Sequence, residues 1–160
     1  MEVSLLAVAS PVGRWGVLGD DHGVHRILMP HEMVGRRISR MAPPRVIETA
    51  NELVDYFASK RRQFTPTRVT TAATAFQMDC WRALEAIPYG QVVTYADLAA
   101  SIGRPRAARA VGNANHANPW PLLVPCHRVV AATGLGGYGG GIDVKEFLLT
   151  LEHNSIAAHA

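Results

Sequence analysis

The sequence predicts a mixed α/β (α+β) chain: a small N-terminal domain with an antiparallel sheet and a helix, and a mainly helical C-terminal domain with a helix-turn-helix. Three observations support this fold class. The first 30 residues are short β-rich runs separated by turn clusters. Later stretches carry apolar residues at helical spacing. A Thr-rich segment, residues 63–74, separates the two patterns, so we place the domains at residues 1–70 and 71–160.

The β-rich runs are expected to form an antiparallel meander. They cover Val3–Ala9, Arg14–Gly19 and Val24–Met29, with turn residues at 10–13 and 20–23. Residues 30–44 contain three prolines and little periodicity. We interpret them as a loop with one short helix around Met33–Ser39.

A first amphipathic helix is predicted for Arg45–Ser59, because apolar residues recur at helical intervals from Val46 to Phe57. The basic run Lys60–Arg62 follows its end. Basic residues at that place favour the helix dipole, and a contact with DNA is the alternative that the sequence leaves open.

A second helix is predicted for Ala75–Ile87, with Thr74 as its N-cap. Pro88, Tyr89 and Gly90 end it. Cys80 lies on its apolar stripe, so we interpret that thiol as part of the core.

Two short helices joined by a glycine turn come next. Thr94 and Asp97 form a capping box for a helix that ends at Ile102. After the turn, Pro105 suits the first position of a helix over Pro105–Asn115. This pattern is typical of a helix-turn-helix, although any αα-corner would produce it.

The end of the chain combines a glycine loop with a last helix. Six of the eight residues 134–141 are glycine, which indicates a tight loop that approaches another group closely. The order of a phosphate-binding loop is absent from it. Asp143 is expected to cap the last helix with Glu146 at its third position, and the tail 154–160 is expected to fray.

Composition excludes several classes of protein. Hydrophobic residues make up 48% and charged residues 18%, which is unlike a disordered chain. No apolar stretch reaches the roughly 18 residues that span a bilayer, and no basic segment precedes the N-terminal apolar run as in a signal peptide. We therefore expect a soluble, cytoplasmic protein (nucleoid-associated if prokaryotic) that has no membrane partner and keeps its thiols reduced.

Cys126 is the candidate nucleophile. A thiol reacts as thiolate, so it needs a proton acceptor or a positive neighbour, and His127 and Arg128 follow directly. Adjacent residues of an extended chain point to opposite sides, so a bent backbone or a bridging water has to connect His127 to the thiol. Glu152 is the free carboxylate that could orient the histidine. From these residues alone a structural cysteine remains the alternative. The two cysteines lie 46 positions apart without ligand spacing, so we expect no metal and no cofactor.

Residues 125–129, Pro-Cys-His-Arg-Val, resemble the active-site motif of the O6-alkylguanine-DNA alkyltransferases, also called methylated-DNA–protein-cysteine methyltransferases. Further matches occur in the order of that family, strongly over about residues 75–153 and more loosely before them: Ile87-Pro88-Tyr89-Gly90, Thr94-Tyr95, Arg109-Ala110-Val111-Gly112, Asn118-Pro119, Tyr138-Gly139-Gly140-Gly141, Lys145 and Glu152.

The resemblance implies direct repair of DNA. An alkyl group, methyl in the simplest case, would pass from O6 of guanine, and from O4 of thymine, to Cys126 in one irreversible step. His127 would deprotonate Cys126 through a water, Glu152 would orient His127, and Tyr95 would protonate the leaving base. A thiol hydrolase and a helix-turn-helix lesion binder remain the rival readings.

The same resemblance implies a duplex partner containing O6-alkylguanine, bound through the minor groove with the damaged nucleotide flipped out. Arg109 would replace the flipped base. Thr94, Tyr95, Ala96 and Arg104 would contact phosphates. The substrate pocket would be formed by Asn118, Trp120, Pro121, Val124, Tyr138, Gly139 and Lys145. Trp120 either narrows this pocket or packs in the core. The protein is expected to be a monomer in solution, with cooperative assembly on DNA left open.

Charge is unevenly distributed along the chain. Residues 1–75 contain 10 basic and 7 acidic side chains, and residues 76–160 contain six of each, so the net charge of +3 lies in the N-terminal part. No acid occurs between Asp97 and Asp143, however, where Arg104, Arg106, Arg109 and Arg128 stand. This segment of local charge +4 is the feature that favours a DNA-binding surface.

Overall fold

The computed structural model describes residues 2–69 and 72–158. The chain divides into two compact units, residues 1–71 and residues 72–160. The mixed α/β fold class predicted from the sequence is confirmed. None of the helices in the described ranges is long and apolar enough to cross a membrane.

The N-terminal unit is a three-stranded antiparallel sheet with one helix against it. The strands are β1 (Ser4–Ser10), β2 (Gly13–Asp20) and β3 (Gly23–Leu28), in the order β1-β2-β3, as the meander pattern predicts. Helix α1 (Pro44–Phe57) packs on this sheet through a fully buried face that includes Val46, Leu53 and Tyr56.

The short helix predicted for Met33–Ser39 is wrong. A 3₁₀ turn covers Pro30–Met33, and the residues after it are not helical. Ser39 instead bonds to the edge of β1: its hydroxyl accepts from the Leu5 amide at 2.9 Å, and its own amide donates to the Leu5 carbonyl at 2.8 Å. The segment covers a sheet edge that would otherwise expose unpaired backbone groups.

The first half of the predicted linker is tied to the N-terminal unit. Both carboxylate oxygens of buried Glu52 accept the Thr65 amide at 3.1 Å, and Val24 exchanges backbone hydrogen bonds with Thr67 and Val69. Residues 70 and 71 of the linker lie outside the described residues.

The C-terminal unit is mainly helical. Its helices are α2 (Ala75–Glu85), α3 (Tyr95–Ser101), α4 (Ala108–His116) and α5 (Ile142–Ala158). Two short strands, β4 (Val93–Thr94) and β5 (Val129–Val130), pair in parallel. Helix α2 packs against both α3 and α4, which form the predicted helix-turn-helix.

Two of the predicted caps are confirmed. The Thr74 hydroxyl accepts from the Gln77 amide at 3.1 Å, and the Thr94 hydroxyl accepts from the Asp97 amide at 3.0 Å. Both form capping boxes with the side chain of the third residue. Cys80 is fully buried, as its place on the apolar stripe predicts.

Two predicted helix starts are wrong. Helix α4 begins at Ala108 rather than at Pro105, because the amide of Ala107 closes a turn on the carbonyl of Arg104 at 2.9 Å. Asp143 lies inside the first turn of α5 instead of capping it, and the carbonyl of Gly141 accepts the first helical bond, from the Lys145 amide. The tail does not fray over residues 154–158, since α5 continues to Ala158 with Ser155 buried. Residues 159 and 160 of the predicted tail lie outside the described residues.

Candidate active site

Cys126 lies on a 3₁₀ turn, Cys126–Arg128, that leads directly into β5. The turn bends the backbone where an extended chain would have sent neighbouring side chains to opposite sides. Cys126, His127 and Arg128 are consequently all buried, with Cys126 6% exposed. One of the two features that the sequence left open, a bent backbone, is therefore present at this turn.

The segment before this turn is held in a strained conformation. The Asn118 side chain donates to the Val124 carbonyl at 2.8 Å and accepts from the Trp120 amide at 2.9 Å, so it braces the loop from both sides. Within the loop, buried Leu122 has a φ of 76°, which is rare for a residue with a branched side chain. Such strain persists only where surrounding contacts over-determine it.

His127 is paired with a carboxylate that lies 25 residues away in sequence. Its Nε2 is 2.6 Å from Oε2 of Glu152, and both side chains are buried. Glu152 lies within the last helix, since α5 continues for six residues beyond it.

Arg128 binds the same carboxylate. Its Nε donates to Oε1 of Glu152 at 2.8 Å and its Nη2 donates to Oε2 at 3.2 Å. The Gly90 amide adds a bond to Oε1 at 3.1 Å. Sequence reasoning considered Arg128 as a positive neighbour of the thiol and not as a partner of Glu152, and it did not place Gly90 in the site, although both residues belong to the matched motifs.

These contacts fix the charges of the pair. Burial raises the pKa of the Glu152 carboxyl, but the hydrogen bonds and charges of His127 and Arg128 outweigh it and hold that pKa well below its usual range. Burial lowers the pKa of His127, and although Glu152 raises it in part, Arg128 and Lys145 lower it further. The site therefore contains a carboxylate and a neutral imidazole.

The Cys126 thiol is held protonated in the resting site. Burial raises its pKa, while a hydrogen bond from Asn118, the charge of Lys145 and its own backbone amide lower it in part. A group that removes the thiol proton is therefore needed before sulfur can act as a nucleophile.

Lys145 is a fully buried cation beside the thiol. Its Nζ donates to the carbonyls of Val129 at 2.5 Å and Gly137 at 3.1 Å, which joins β5 to the glycine loop. Burial lowers its pKa to about 8, against the opposing effect of the Cys126 thiolate. The lysine places positive charge where a thiolate forms.

Tyr95, the first residue of α3, faces the same loop. Its hydroxyl donates to the Gly137 carbonyl at 3.4 Å, and the centre of its ring is 5.9 Å from Lys145 Nζ. Gly136 passes so close, with a φ of 75°, that a Cβ there would lie 3.1 Å from the tyrosine hydroxyl. Burial and the nearby Cys126 thiolate raise the pKa of Tyr95, so the phenol keeps its proton.

The predicted pocket residues differ in their surroundings. Trp120 is buried against Trp81, with ring centroids 5.7 Å apart in an edge-to-face arrangement. Of the two roles considered for Trp120, packing in the core is therefore the one that the structure shows. Pro121 and Val124 are buried, whereas Gly139 is exposed in the glycine loop. Tyr138 faces Cys126 and Glu152, and burial together with these two groups raises its pKa well above 10.

The helix-turn-helix presents the predicted basic surface, reduced by one charge. Arg104, Arg106 and Arg109 are exposed, but Arg128 is buried in its pairing with Glu152. Thr94 and Ala96 lie at the start of α3, Thr94 as its N-cap and Ala96 exposed. On α4, Ala110 is exposed beside Arg109, whereas Ala114 is buried in the core.

Fold and site together define a class of protein: a helix-turn-helix domain built around a buried cysteine and a histidine–glutamate pair. The family model described as "6-O-methylguanine DNA methyltransferase, DNA binding domain" matches residues 75–154. The chain belongs to this family.

Individual relatives extend the match over most of the chain. The Methanosarcina acetivorans methylated-DNA–protein-cysteine methyltransferase is 40% identical over 89% of this chain and 94% of its own. The Methanosarcina barkeri protein of the same name is 48% identical over 68% of this chain and 69% of its own.

Solved structures agree with the fold of the whole chain. A crystal structure of the Mycobacterium tuberculosis O6-methylguanine methyltransferase has a TM-score of 0.83 at 32% identity and covers 99% of this chain and 100% of that one. The M. tuberculosis OGT protein in complex with DNA has a TM-score of 0.80 at 38% identity, over 93% and 92% of the two chains.

Proposed function

We propose that this protein repairs DNA by transferring the alkyl group of O6-alkylguanine to its own Cys126. The observation that carries the proposal is the buried Cys126–His127–Glu152 arrangement in the domain that also presents three exposed arginines on a helix-turn-helix. Relatives of 40–48% identity named as methylated-DNA–protein-cysteine methyltransferases support the same activity.

The transfer is a displacement at carbon. The Cys126 sulfur forms a bond to the alkyl carbon as the bond from that carbon to O6 breaks, and the electron pair of the broken bond leaves with guanine. His127 takes the thiol proton through a bridging water at Nδ1, because its Nε2 is engaged by Glu152. Lys145 stabilises the thiolate, and Tyr95, which is protonated at rest, supplies a proton to N3 of the departing base.

The remaining residues bind the lesion. The target atom is inaccessible in a duplex, so the nucleotide is flipped out while the helix-turn-helix lies in the minor groove, and Arg109 fills the vacated place. Thr94, Tyr95, Ala96 and Arg104 contact phosphates. Asn118, Pro121, Val124, Tyr138 and Gly139 enclose the base, and O4-alkylthymine is a second substrate of the same pocket.

Each molecule acts once, since the product is a thioether on Cys126 and the mechanism contains no step that removes it. The N-terminal unit, residues 1–70, serves as a structural domain, and residues 71–160 carry DNA binding and alkyl transfer.

The test is to incubate the protein with duplex DNA containing O6-methylguanine and to measure its intact mass. We expect a gain of one CH₂ unit, the difference between S–H and S–CH₃, at no more than one per molecule and located on Cys126. Cys126→Ala should abolish the gain. Cys80→Ala, which alters the other buried thiol, is the matched control and should retain it.

Other outcomes separate the rival functions. Unmodified protein that binds the lesion tightly would identify a lesion binder. Repeated turnover of a thioester or amide without a stable mass gain would identify a thiol hydrolase.

A further inference from the structure

Arg128 is connected to more of the site than its sequence position implies. Besides its two bonds to Glu152, its Nη1 donates to the Ile87 carbonyl at 2.8 Å, and its guanidinium lies 5.5 Å from the centre of the Tyr89 ring. A planar guanidinium presents its donors in a fixed geometry. Arg128 therefore fixes the orientation of the carboxylate relative to the end of α2.

The carboxylate that Arg128 holds determines which nitrogen of His127 carries the proton. Oε1 of Glu152 accepts from Arg128 Nε and from the Gly90 amide, and Oε2 accepts from Arg128 Nη2. An ionised carboxylate only accepts hydrogen bonds, so His127 Nε2, 2.6 Å away, must donate. Nδ1 of the neutral ring then carries the lone pair, and it has no partner among the described protein atoms.

We propose that Arg128 is a positioning residue for alkyl transfer: it anchors Glu152 to the segment Ile87–Gly90, so that His127 is kept neutral, in the Nε2–H tautomer, with Nδ1 available as the proton acceptor. This inference rests on the proposed function.

The segment Ile87–Gly90 is the fixed end of this anchor. The Ile87 side chain is buried, and Gly90 has a φ of 81°, with Ile156 of α5 so close that a Cβ at Gly90 would lie 2.5 Å from it. The matched motif Ile-Pro-Tyr-Gly thus ends α2 and also provides one carbonyl and one amide to the Arg128–Glu152 pair.

The charges around His127 give the inference a measurable consequence. Glu152 and Lys145 face it from α5 and Arg128 from its own turn, while Tyr138 and Cys126 complete the cluster. Arg128 is one of the two cations that lower the pKa of His127. Removing its charge raises that pKa, so His127 becomes protonated at a higher pH and stops acting as a base there.

The experiment uses the full chain with duplex DNA containing O6-methylguanine. Single-turnover rates of methyl transfer are measured against pH for the wild type, Arg128→Gln, Arg128→Lys, Glu152→Gln and the double variant Arg128→Gln/Glu152→Gln. Arg82→Gln is the matched control, because Arg82 is 70% exposed on α2 and outside the site. Thermal melts and circular dichroism establish which variants fold, and ¹⁵N spectra of the histidine rings report the tautomer of His127.

We expect Arg128→Gln to lower the rate about tenfold or more and to move the acid limb of the pH profile to higher pH. Arg128→Lys restores the charge without the fork, so its acid limb should stay near that of the wild type at a reduced rate. In the Glu152→Gln background, removing Arg128 should cause little further loss, since the arginine acts through that carboxylate. Wild-type His127 should show a protonated Nε2 and an unprotonated Nδ1.

The inference is overturned when a folded Arg128→Gln variant retains the wild-type rate and acid limb, or when its loss is additive with Glu152→Gln at an unchanged limb. If Arg128→Gln does not fold, the inference is tested by the rate and acid limb of Arg128→Lys and by the tautomer of His127 in the wild type. A His127 ring protonated at Nδ1 contradicts the inference. If the wild-type protein gains no methyl group on Cys126, the proposed function itself is wrong. This outcome is distinct from the results that overturn only the role of Arg128.

Discussion

The position of Tyr95 is compatible with two roles, DNA binding and proton donation to the departing base. It begins α3, where a DNA contact is expected, and its hydroxyl faces the glycine loop within the electrostatic influence of Cys126. The raised pKa of the phenol means that Tyr95 carries its proton at rest, so it can donate that proton once a strongly basic acceptor forms nearby.

Tyr95→Phe is therefore expected to slow methyl transfer by about tenfold or more while most of the affinity for lesion-containing duplex remains. Single-turnover kinetics and equilibrium binding measure the two effects separately. An affinity that collapses at an unchanged transfer rate would make Tyr95 a binding residue instead.

At the scale of single elements, helices α1 and α3 are both terminated by a residue in the left-handed backbone conformation, but the residue types differ. Helix α1 ends with Ser59 at a φ of 60°, where the Lys60 amide bonds to the Asp55 carbonyl at 2.8 Å. Helix α3 ends with Gly103 at a φ of 75°, where the Arg104 amide bonds to the Ala99 carbonyl at 2.9 Å. Both are Schellman motifs, and glycine is the residue that adopts this conformation without a Cβ penalty.

Ser59→Gly is expected to stabilise the protein by about 0.5–1 kcal/mol, because it removes the strain of a side chain in the left-handed region. Gly103→Ser is the matched reverse change and should destabilise by a similar amount, since open space surrounds Gly103 and only the backbone conformation is affected. Chemical denaturation of both variants measures the free energies of unfolding. Equal signs for the two substitutions would contradict the argument.

Most elements follow from local rules in the sequence. The alternating strands, the capping boxes at Thr74 and Thr94, and the buried stripe that includes Cys80 depend on residues within a few positions of each other. The short helix wrongly predicted around Met33–Ser39 depends instead on a distant partner. Ser39 is held by Leu5, 34 positions away, and no local pattern signals that pairing.

Across the whole molecule, the part of the chain with the net positive charge is not the part with the exposed cluster of arginines. The N-terminal part carries the excess of +3, yet the exposed arginines of the helix-turn-helix, Arg104, Arg106 and Arg109, stand in a stretch without acids. Each arginine that pairs with a phosphate releases counterions, so affinity for DNA should fall with added salt.

Arg109→Ala is expected to impair methyl transfer from duplex DNA far more than transfer from the free alkylated base, because in the proposed mechanism the arginine fills the place of the flipped nucleotide and takes no part in the chemistry. Arg106→Ala removes the same charge from the same surface and is the control. Arg106→Ala should lower the affinity for duplex DNA and make that affinity less sensitive to salt. It should not change the ratio of transfer from duplex DNA to transfer from the free base as Arg109→Ala does. Equal losses on both substrates for Arg109→Ala would refute a role in flipping.

The sequence by itself determined most of the elements, the helix-turn-helix and the position of the candidate nucleophile, because caps, periodicity and a contiguous motif are local properties. The tertiary structure decided how those residues are charged. It placed Glu152 against His127 from 25 positions away and turned Arg128 from a surface cation into the buried partner of that carboxylate. It also brought Gly90 to the same carboxylate across 62 positions. Protonation depends on burial and on neighbours in space, and neither can be read from a chain before it folds.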